Sequence, residues 1–231
     1  MVSLGLSTIA LVRGDGNLLL DTGHYGNRNQ LLNALNRLGM KPADIDTVIL
    51  THSHWDHALN LEVFGGADVV INSKELSHVN SIKGYDWATP SFLGRVLGER
   101  RVKVVEGDVA FSKDVFLVET PGHSPGHQSV LVKTDGGSVL FSGDAMPTMR
   151  SYIREQPDYI MVSDEVARSS IRKMKSLKPD VIYPGHDRPF HVVDGCPEYI
   201  SHSELKLVFR GVEGNFGISM STEDAEKPEK K

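Results

Sequence analysis

Thr51-His52-Ser53-His54-Trp55-Asp56-His57 packs three imidazoles and one carboxylate into seven residues. Packing gives no reason to crowd such side chains together. Imidazole suits zinc, iron and related ions, and a carboxylate adds a charged oxygen ligand. The stretch follows Asp46-Thr47-Val48-Ile49-Leu50, a short apolar run that reads as a buried strand. The ligand-type residues therefore stand where a strand ends and the chain turns outward, which is where α/β folds usually keep their active sites.

The same arrangement recurs downstream. Thr120-Pro121-Gly122-His123-Ser124-Pro125-Gly126-His127 follows the apolar run Val115-Phe116-Leu117-Val118. Ser142-Gly143-Asp144 closes Ser138-Val139-Leu140-Phe141, and Tyr183-Pro184-Gly185-His186-Asp187 closes Asp180-Val181-Ile182. Four times a hydrophobic strand leads at once to His or Asp, three times beside glycine, which permits tight turns and close approach to a ligand. The repetition points to one site built from a single edge of a layered fold.

On these residues the chain resembles the metallo-β-lactamase-fold hydrolases, whose H-x-H-x-D-H motif is followed by His, Asp and His after successive strands. Here the series is His52, His54, Asp56, His57, His123, Asp144 and His186. Asp21-Thr22-Gly23, after Asn17-Leu18-Leu19-Leu20, matches the early D-T-G of that family, and the likeness runs from about Leu18 to about Val193. Pro184-Gly185-His186-Asp187-Arg188-Pro189-Phe190 and the helix after Asp21-Thr22-Gly23 are most similar to the branch that includes metallo-β-lactamase domain-containing protein 1. The resemblance implies an α+β fold, a four-layer αββα sandwich. One domain is expected over residues 1–218, with a charged, disordered tail over 219–231.

The resemblance also implies a site. His52, His54 and His123 would hold one metal; Asp56, His57 and His186 would hold a second; Asp144 would bridge both. Two divalent ions follow, with zinc the default, although histidine and carboxylate ligands also serve iron, manganese and cobalt. A metal-bridging hydroxide, formed because bound water ionises near pH 7, would attack a carbonyl or phosphoryl centre. Asp56 and Asp144 are the expected catalytic carboxylates, with Asp56 placed to orient the hydroxide and pass a proton to the leaving group. The full histidine set at His57 and His186 favours two metals, and imidazole rather than glutamate at position 54 favours hydrolysis over oxygen reduction.

Composition narrows the class. The chain has 231 residues, 39% hydrophobic and 24% charged, as in ordinary globular domains. Its net charge is −5 with no basic block, so nucleic-acid binding is not expected. No apolar stretch approaches the roughly 20 residues that span a bilayer, so no membrane association is expected. The start lacks the features of a secretory signal, and the single Cys196 agrees with a reducing compartment, so the expected location is cytoplasmic. A homodimer is expected only by analogy with relatives.

Along the chain, Thr8–Val12 and Leu18–Asp21 flank a turn and predict a hairpin, with Val2–Leu6 as one reading of a short strand before it. Leu31, Leu32, Leu35 and Leu38 recur at helical spacing, and Gly39 and Pro42 stop that helix. Asp68–Asn72 predicts a strand and Ser73 the cap of a short helix. Lys83–Arg101 shows no period. Val102–Val105, Val115–Glu119, Ser129–Lys133 and Val139–Ser142 predict strands, Ser163 opens a helix, Val181–Tyr183 is the expected last core strand, and Glu198–Phe209 a second helix. Ser221–Lys231 is charged and poor in apolar residues.

Several residues have two readings. Asp21 is either a turn residue or an outer partner that fixes the tautomer of a ligating histidine. His127 is an outer-partner candidate; His24 suits a surface or supporting role; His78, His191 and His202 read as exposed or locally bonded. Tyr183 either reaches the site or is turned away by strand alternation, and Trp55 reads as a hydrophobic wall.

Two stretches are expected to shape the pocket: Lys83–Arg101, with Tyr85, Trp87 and Phe92, and Ala145–Tyr159, with Met146, Met149, Tyr152, Ile153 and Tyr159. Their composition favours small, fairly apolar esters handled with broad specificity: lactones, carboxylic esters or phosphotriesters. Lactonases of this fold carry a tyrosine three residues after the bridging aspartate, where this chain has Pro147, which speaks against a dedicated acyl-homoserine lactonase. The alternatives are a phosphodiesterase in RNA processing, a thioester hydrolase, a non-catalytic metal-binding protein and an iron redox enzyme.

Overall fold

The computed structural model describes residues 6–82, 86–200, 204–211 and 214–221. The strand reading over Val2–Leu6 (but for Leu6), Tyr85, His202 and residues 222–231 of the charged tail lie outside them. The first sheet holds β1 (Ala10–Arg13), β2 (Asn17–Leu20), β3 (Thr47–Ile49), β4 (Asp68–Asn72) and β5 (Val102–Val105), in that order. β1 and β2 form the expected hairpin, and β2 to β5 run parallel. Parallel neighbours need a crossover, and α1 (Arg28–Arg37), α2 (Trp55–Ala58), α3 (Ser73–Asn80) and α4 (Leu93–Gly98) occupy the connections.

The second sheet runs from β6 (Val109–Ala110) through β7 (Val115–Glu119), β8 (Gln128–Thr134), β9 (Gly137–Gly143), β10 (Val181–Pro184) and β11 (Phe190–Val193) to β12 (Cys196–Tyr199). All its pairings are antiparallel except β9 with β10, whose connection carries α5 (Met149–Arg154) and α6 (Asp164–Ser176).

Strand alternation makes the layers. Leu19, Val48, Val69 and Ile71 face outward onto Leu31 and Leu35 of α1, Val79 of α3, and Leu93 and Leu97 of α4. Their neighbours Leu20, Ile49 and Val70 face inward and meet Val115, Leu117, Val130 and Val132 of the second sheet. The far side of that sheet sets Leu140, Ile182 and Phe190 against Ile171 and Met174 of α6. The result is helix, sheet, sheet, helix: the expected αββα sandwich. Each such leucine or isoleucine contributes about 1.5–3 kcal/mol by leaving water.

Four local expectations need correction. Asn72, not Ser73, caps α3: its side chain accepts the Lys74 N–H at 2.9 Å. Part of the stretch expected to be irregular is α4. Val181–Tyr183 is not the last core strand, because β11 and β12 extend the sheet. In place of a helix over Glu198–Phe209 there are β12, β13 (Glu204–Gly211) and β14 (Gly214–Ser221), the last two an antiparallel pair. Leu205, Leu207 and Phe209 alternate with period two, the spacing of a strand. No helix of the described residues is long and apolar enough to cross a membrane.

Candidate metal centre

The seven candidate ligands all come from one end of the sandwich. β3 ends at Ile49, and the chain runs extended through His52 and His54 before turning once in α2, which carries Asp56 and His57. His123 follows β7, Asp144 follows β9 and His186 follows β10. Gly185 makes the last approach possible, since a Cβ there would stand 2.1 Å from Asp144 Oδ1.

The residues converge into three sets whose candidate ligand atoms lie within 4.8 Å of one another: His52, His54 and His123; His52, His57 and Asp144; and Asp56, His57 and His186. His54 Nδ1 and His123 Nε2 stand 3.0 Å apart. Asp144 reaches both ends of the array: Oδ1 is 3.2 Å from His57 Nε2, and Oδ2 is 3.1 Å from His186 Nε2 and 3.5 Å from His123 Nε2. Asp56 Oδ2 is 3.2 Å from His186 Nε2 and 3.7 Å from His57 Nε2. Tetrahedral zinc–nitrogen bonds of 2.0–2.1 Å put neighbouring ligands about 3.3 Å apart, so these spacings suit coordination. His52 Nε2, His57 Nε2 and Asp144 Oδ1 are buried and have no hydrogen-bond partner beyond one another. Buried polar atoms are nearly always satisfied, and three such atoms converging with opposite polarity fit a cation. The clusters suit two metal ions.

The outer atoms of the same rings are anchored. His57 Nδ1 lies 2.7 Å from Asp21 Oδ2, and Asp21 also accepts the Thr51 N–H and hydroxyl, each at 2.7 Å. Asp21 thus takes the outer-partner role, on a backbone held at φ 57°. His123 Nδ1 is bonded to the Tyr159 carbonyl at 3.0 Å and His186 Nδ1 to the Leu6 carbonyl at 2.9 Å. A carbonyl only accepts, so each ring is N–H on that side and, when neutral, turns the Nε2 lone pair toward the site. His52 Nδ1 meets the Thr51 hydroxyl at 3.0 Å. His54 Nε2 faces Asp86 across 3.9 Å, too far for a direct bond, while Asp86 binds His78 at 2.7 Å.

Electrostatics divide the array. Burial, reinforced by the other imidazoles, holds His52 well below its ordinary value. Burial lowers His54 and His123 to about 4, despite the opposing pull of Asp144. At the other end, burial works against charge on His57 and His186, but Asp144, with Asp21 for the first and Asp56 for the second, outweighs it and raises both. Burial disfavours the Asp144 anion, yet His57, His123 and His186 hold its carboxyl well below the usual range.

The remaining candidates divide. His127 does not touch a ligand-type ring by hydrogen bond. Its Nε2 accepts the backbone N–H groups of Asp144 at 3.0 Å and Ala145 at 3.2 Å, so it positions Asp144 through the main chain. His24 accepts the Gly26 N–H and sets its ring edge-on to Trp55, 5.3 Å between centroids. Tyr183 turns away and stacks on Phe141 at 5.0 Å. It lines a separate cavity of about 760 Å³ at the opposite end of the strands, lined by none of the seven candidate ligands. Met146, Met149 and Tyr152 pack into the core beneath α6 rather than forming a pocket wall. Tyr159 does stand at the site, its ring 5.5 Å from His123 and 6.0 Å from His54. Trp87 is 76% exposed, and Phe92 and Ile153 are also exposed. Sequence reasoning missed Asp86 and Glu75, both buried among these loops. Each is a single carboxylate in a stretch with no metal-ligand spacing.

The model of the metallo-β-lactamase superfamily matches residues 3–186. The chain belongs to that superfamily. This metallo-β-lactamase-fold chain is 33% identical to an N-acyl homoserine lactonase of Bacillus cereus over 180 residues, 74% of this chain and 68% of the relative. It is 30% identical to metallo-β-lactamase domain-containing protein 1 of Xenopus laevis over 189 residues, 80% of this chain and 72% of the relative. Among solved structures, a variant of B. thuringiensis AiiA with N-decanoyl-L-homoserine at its active site superposes with a TM-score of 0.67, at 29% identity over 77% of this chain and 79% of that one. AidC, a dizinc quorum-quenching lactonase, shares the fold at a TM-score of 0.66 and 18% identity, over 84% of this chain and 79% of its own. The metallo-β-lactamase-fold chain is thus a metal-dependent hydrolase.

Proposed function

We propose that this protein hydrolyses small, fairly apolar lactones or carboxylic esters at a binuclear metal centre. The reading rests on one observation: His52 Nε2, His57 Nε2 and Asp144 Oδ1 are buried, lie within 4.8 Å of one another and have no hydrogen-bond partner beyond their own cluster. His52, His54 and His123 would hold one ion, Asp56, His57 and His186 the other, and Asp144 would face both. A pair of divalent ions, zinc first among the candidates, supplies a hydroxide at neutral pH and polarises the carbonyl oxygen of an ester. The chain's own residues do the rest. Asp144 and Asp56 offset the positive charge. Asp21 and the carbonyls of Tyr159 and Leu6 fix the histidine tautomers. Asp56, 3.2 Å from His186, is placed to carry a proton to the departing alcohol.

The lactone preference draws on the kinship with acyl-homoserine lactonases. Pro147 stands where such enzymes carry tyrosine, while Tyr159 presents an aromatic ring beside His54 and His123. The test is a panel of acyl-homoserine lactones and chromogenic carboxylic, thio- and phosphate esters, run with and without chelator alongside elemental analysis. Chelator-sensitive turnover of lactones or carboxylic esters is expected. Bound metal with no turnover of any ester would contradict the reading, and phosphodiester turnover alone would move the substrate class.

A further inference from the structure

Outside both ligand sets, one fully buried carboxylate ties together the two loops that carry the three-imidazole set. Glu75 lies in the first turn of α3. Its Oε1 accepts the Ser53 N–H at 2.9 Å and the Ser53 hydroxyl at 2.6 Å. Its Oε2 accepts the Ser124 hydroxyl at 2.7 Å and the Gly126 N–H at 2.9 Å. Ser53 sits between His52 and His54, and Ser124 directly follows His123. One side chain therefore holds the chain beside all three imidazoles, one oxygen to each loop.

The surroundings are built for that contact. A Cβ on Gly126 would stand 2.0 Å from the Glu75 nitrogen, so only glycine lets the second loop come this close to α3. The Ser53 hydroxyl, which donates to Glu75, is also 3.0 Å from Thr89 Oγ1 and so accepts from it. Thr89 in turn belongs to the segment whose N–H groups bind Asp86, which faces His54. All four groups around Glu75 donate, and an ionised carboxylate only accepts. Burying such a charge is a poor route to stability compared with well-packed apolar side chains. Its place between two ligand loops gives it a different role.

We propose that Glu75 is a positioning residue: it sets the spacing of His52, His54 and His123, so that metal affinity at this set depends on its two oxygens accepting together. The inference rests on the binuclear reading above. In Glu75→Gln the amide nitrogen can no longer accept, so one loop meets a donor where it had an acceptor. The experiment is a cobalt(II) titration of the full chain, metal-free at the start, followed by visible absorption and by melting of the metal-free protein. Glu75→Gln should weaken one binding step about tenfold or more, in the range for groups that orient metal ligands, and alter the absorption of that ion. The other step should keep its affinity and spectrum. Ser124→Ala, which removes one hydroxyl and leaves the rest of the clamp, should shift the same step less, and it decides the matter if Glu75→Gln does not fold. Unchanged affinity and spectrum at both steps, in whichever of these variants folds with a normal melt, would overturn the role of Glu75. Failure of the wild-type chain to take up cobalt would instead overturn the metal reading itself.

Discussion

The two ends of the histidine array are built from opposite physics. The set of His52, His54 and His123 contains only imidazoles, and burial keeps them neutral, two of them titrating near 4. The set of Asp56, His57 and His186 is threaded with carboxylates, which raise its histidines above their ordinary value. The first set is ready to receive a cation at almost any physiological pH. The second must give up protons first, since metal ligands bind deprotonated. Exposure differs too: His52, His54 and His123 are all buried, whereas His186, which leans on Leu6 in the first described segment of the chain, has a side chain 25% exposed.

The largest effect should come from the residue both ends share. Asp144→Asn is expected to cut hydrolysis by more than about a hundredfold, beyond the 10–100-fold cost typical of outer partners, and to lower metal content at both sets. A near-normal rate would remove Asp144 from the shared position. Next come the ends themselves. His123→Ala and His186→Ala should each bind about one ion fewer per chain, and elemental analysis of the pair shows whether two distinct ions exist; an equal loss of both ions in each variant would mean a single cooperative unit. Asp21→Asn should weaken the second set more than the first, by about 10–100-fold, because the amide no longer pairs His57 directly as a carboxylate does, while His52 is reached only through Thr51. Weakening confined to the first set would break the division.

The smallest effect is on stability without metal. His54 and His123 have folded values near 4 against about 6.5 unfolded. The unfolded chain therefore binds more protons between those limits, and stability is lost as pH falls from about 6.5 toward 4, by on the order of 3 kcal/mol at most for each. His57 and His186, raised on folding, contribute stability that is full below about 6.5 and is lost as pH rises through their folded values. Melting of the metal-free chain across pH should show both limbs, with His123→Ala flattening the acid limb and His186→Ala the alkaline one. A profile unmoved by either substitution would contradict the electrostatic contrast.

Much of this was legible in the chain because the chemistry is local in sequence. His52 to His57 announce themselves by spacing, and His123, Asp144 and His186 each follow an apolar run, so strand ends could be matched to ligand-type residues. Asp21 could be read as an outer-partner candidate because its D-T-G turn matches the family's, and the structure sets that turn at the end of the strand next to β3. Glu75 could not. Its significance arises only when α3 folds against Gly126 and brings two distant loops to its two oxygens. The hold of His127 on Asp144 could not be read for a related reason: its Nε2 accepts backbone N–H groups, which no side-chain pattern reveals. The C-terminal stretch failed on period: Leu205, Leu207 and Phe209 fall at every second residue, the spacing of a strand, where a helix was expected. Met146 and Met149 resembled pocket lining by composition, yet the core beneath α6 took them.

The most direct test of the central claim is the zinc content of the purified wild-type chain after reconstitution and desalting, read together with the nitrogen and oxygen shell by X-ray absorption. Two ions per chain, in a shell dominated by imidazole nitrogen with carboxylate oxygen, are expected. One ion or none, or a shell without imidazole, would contradict the account.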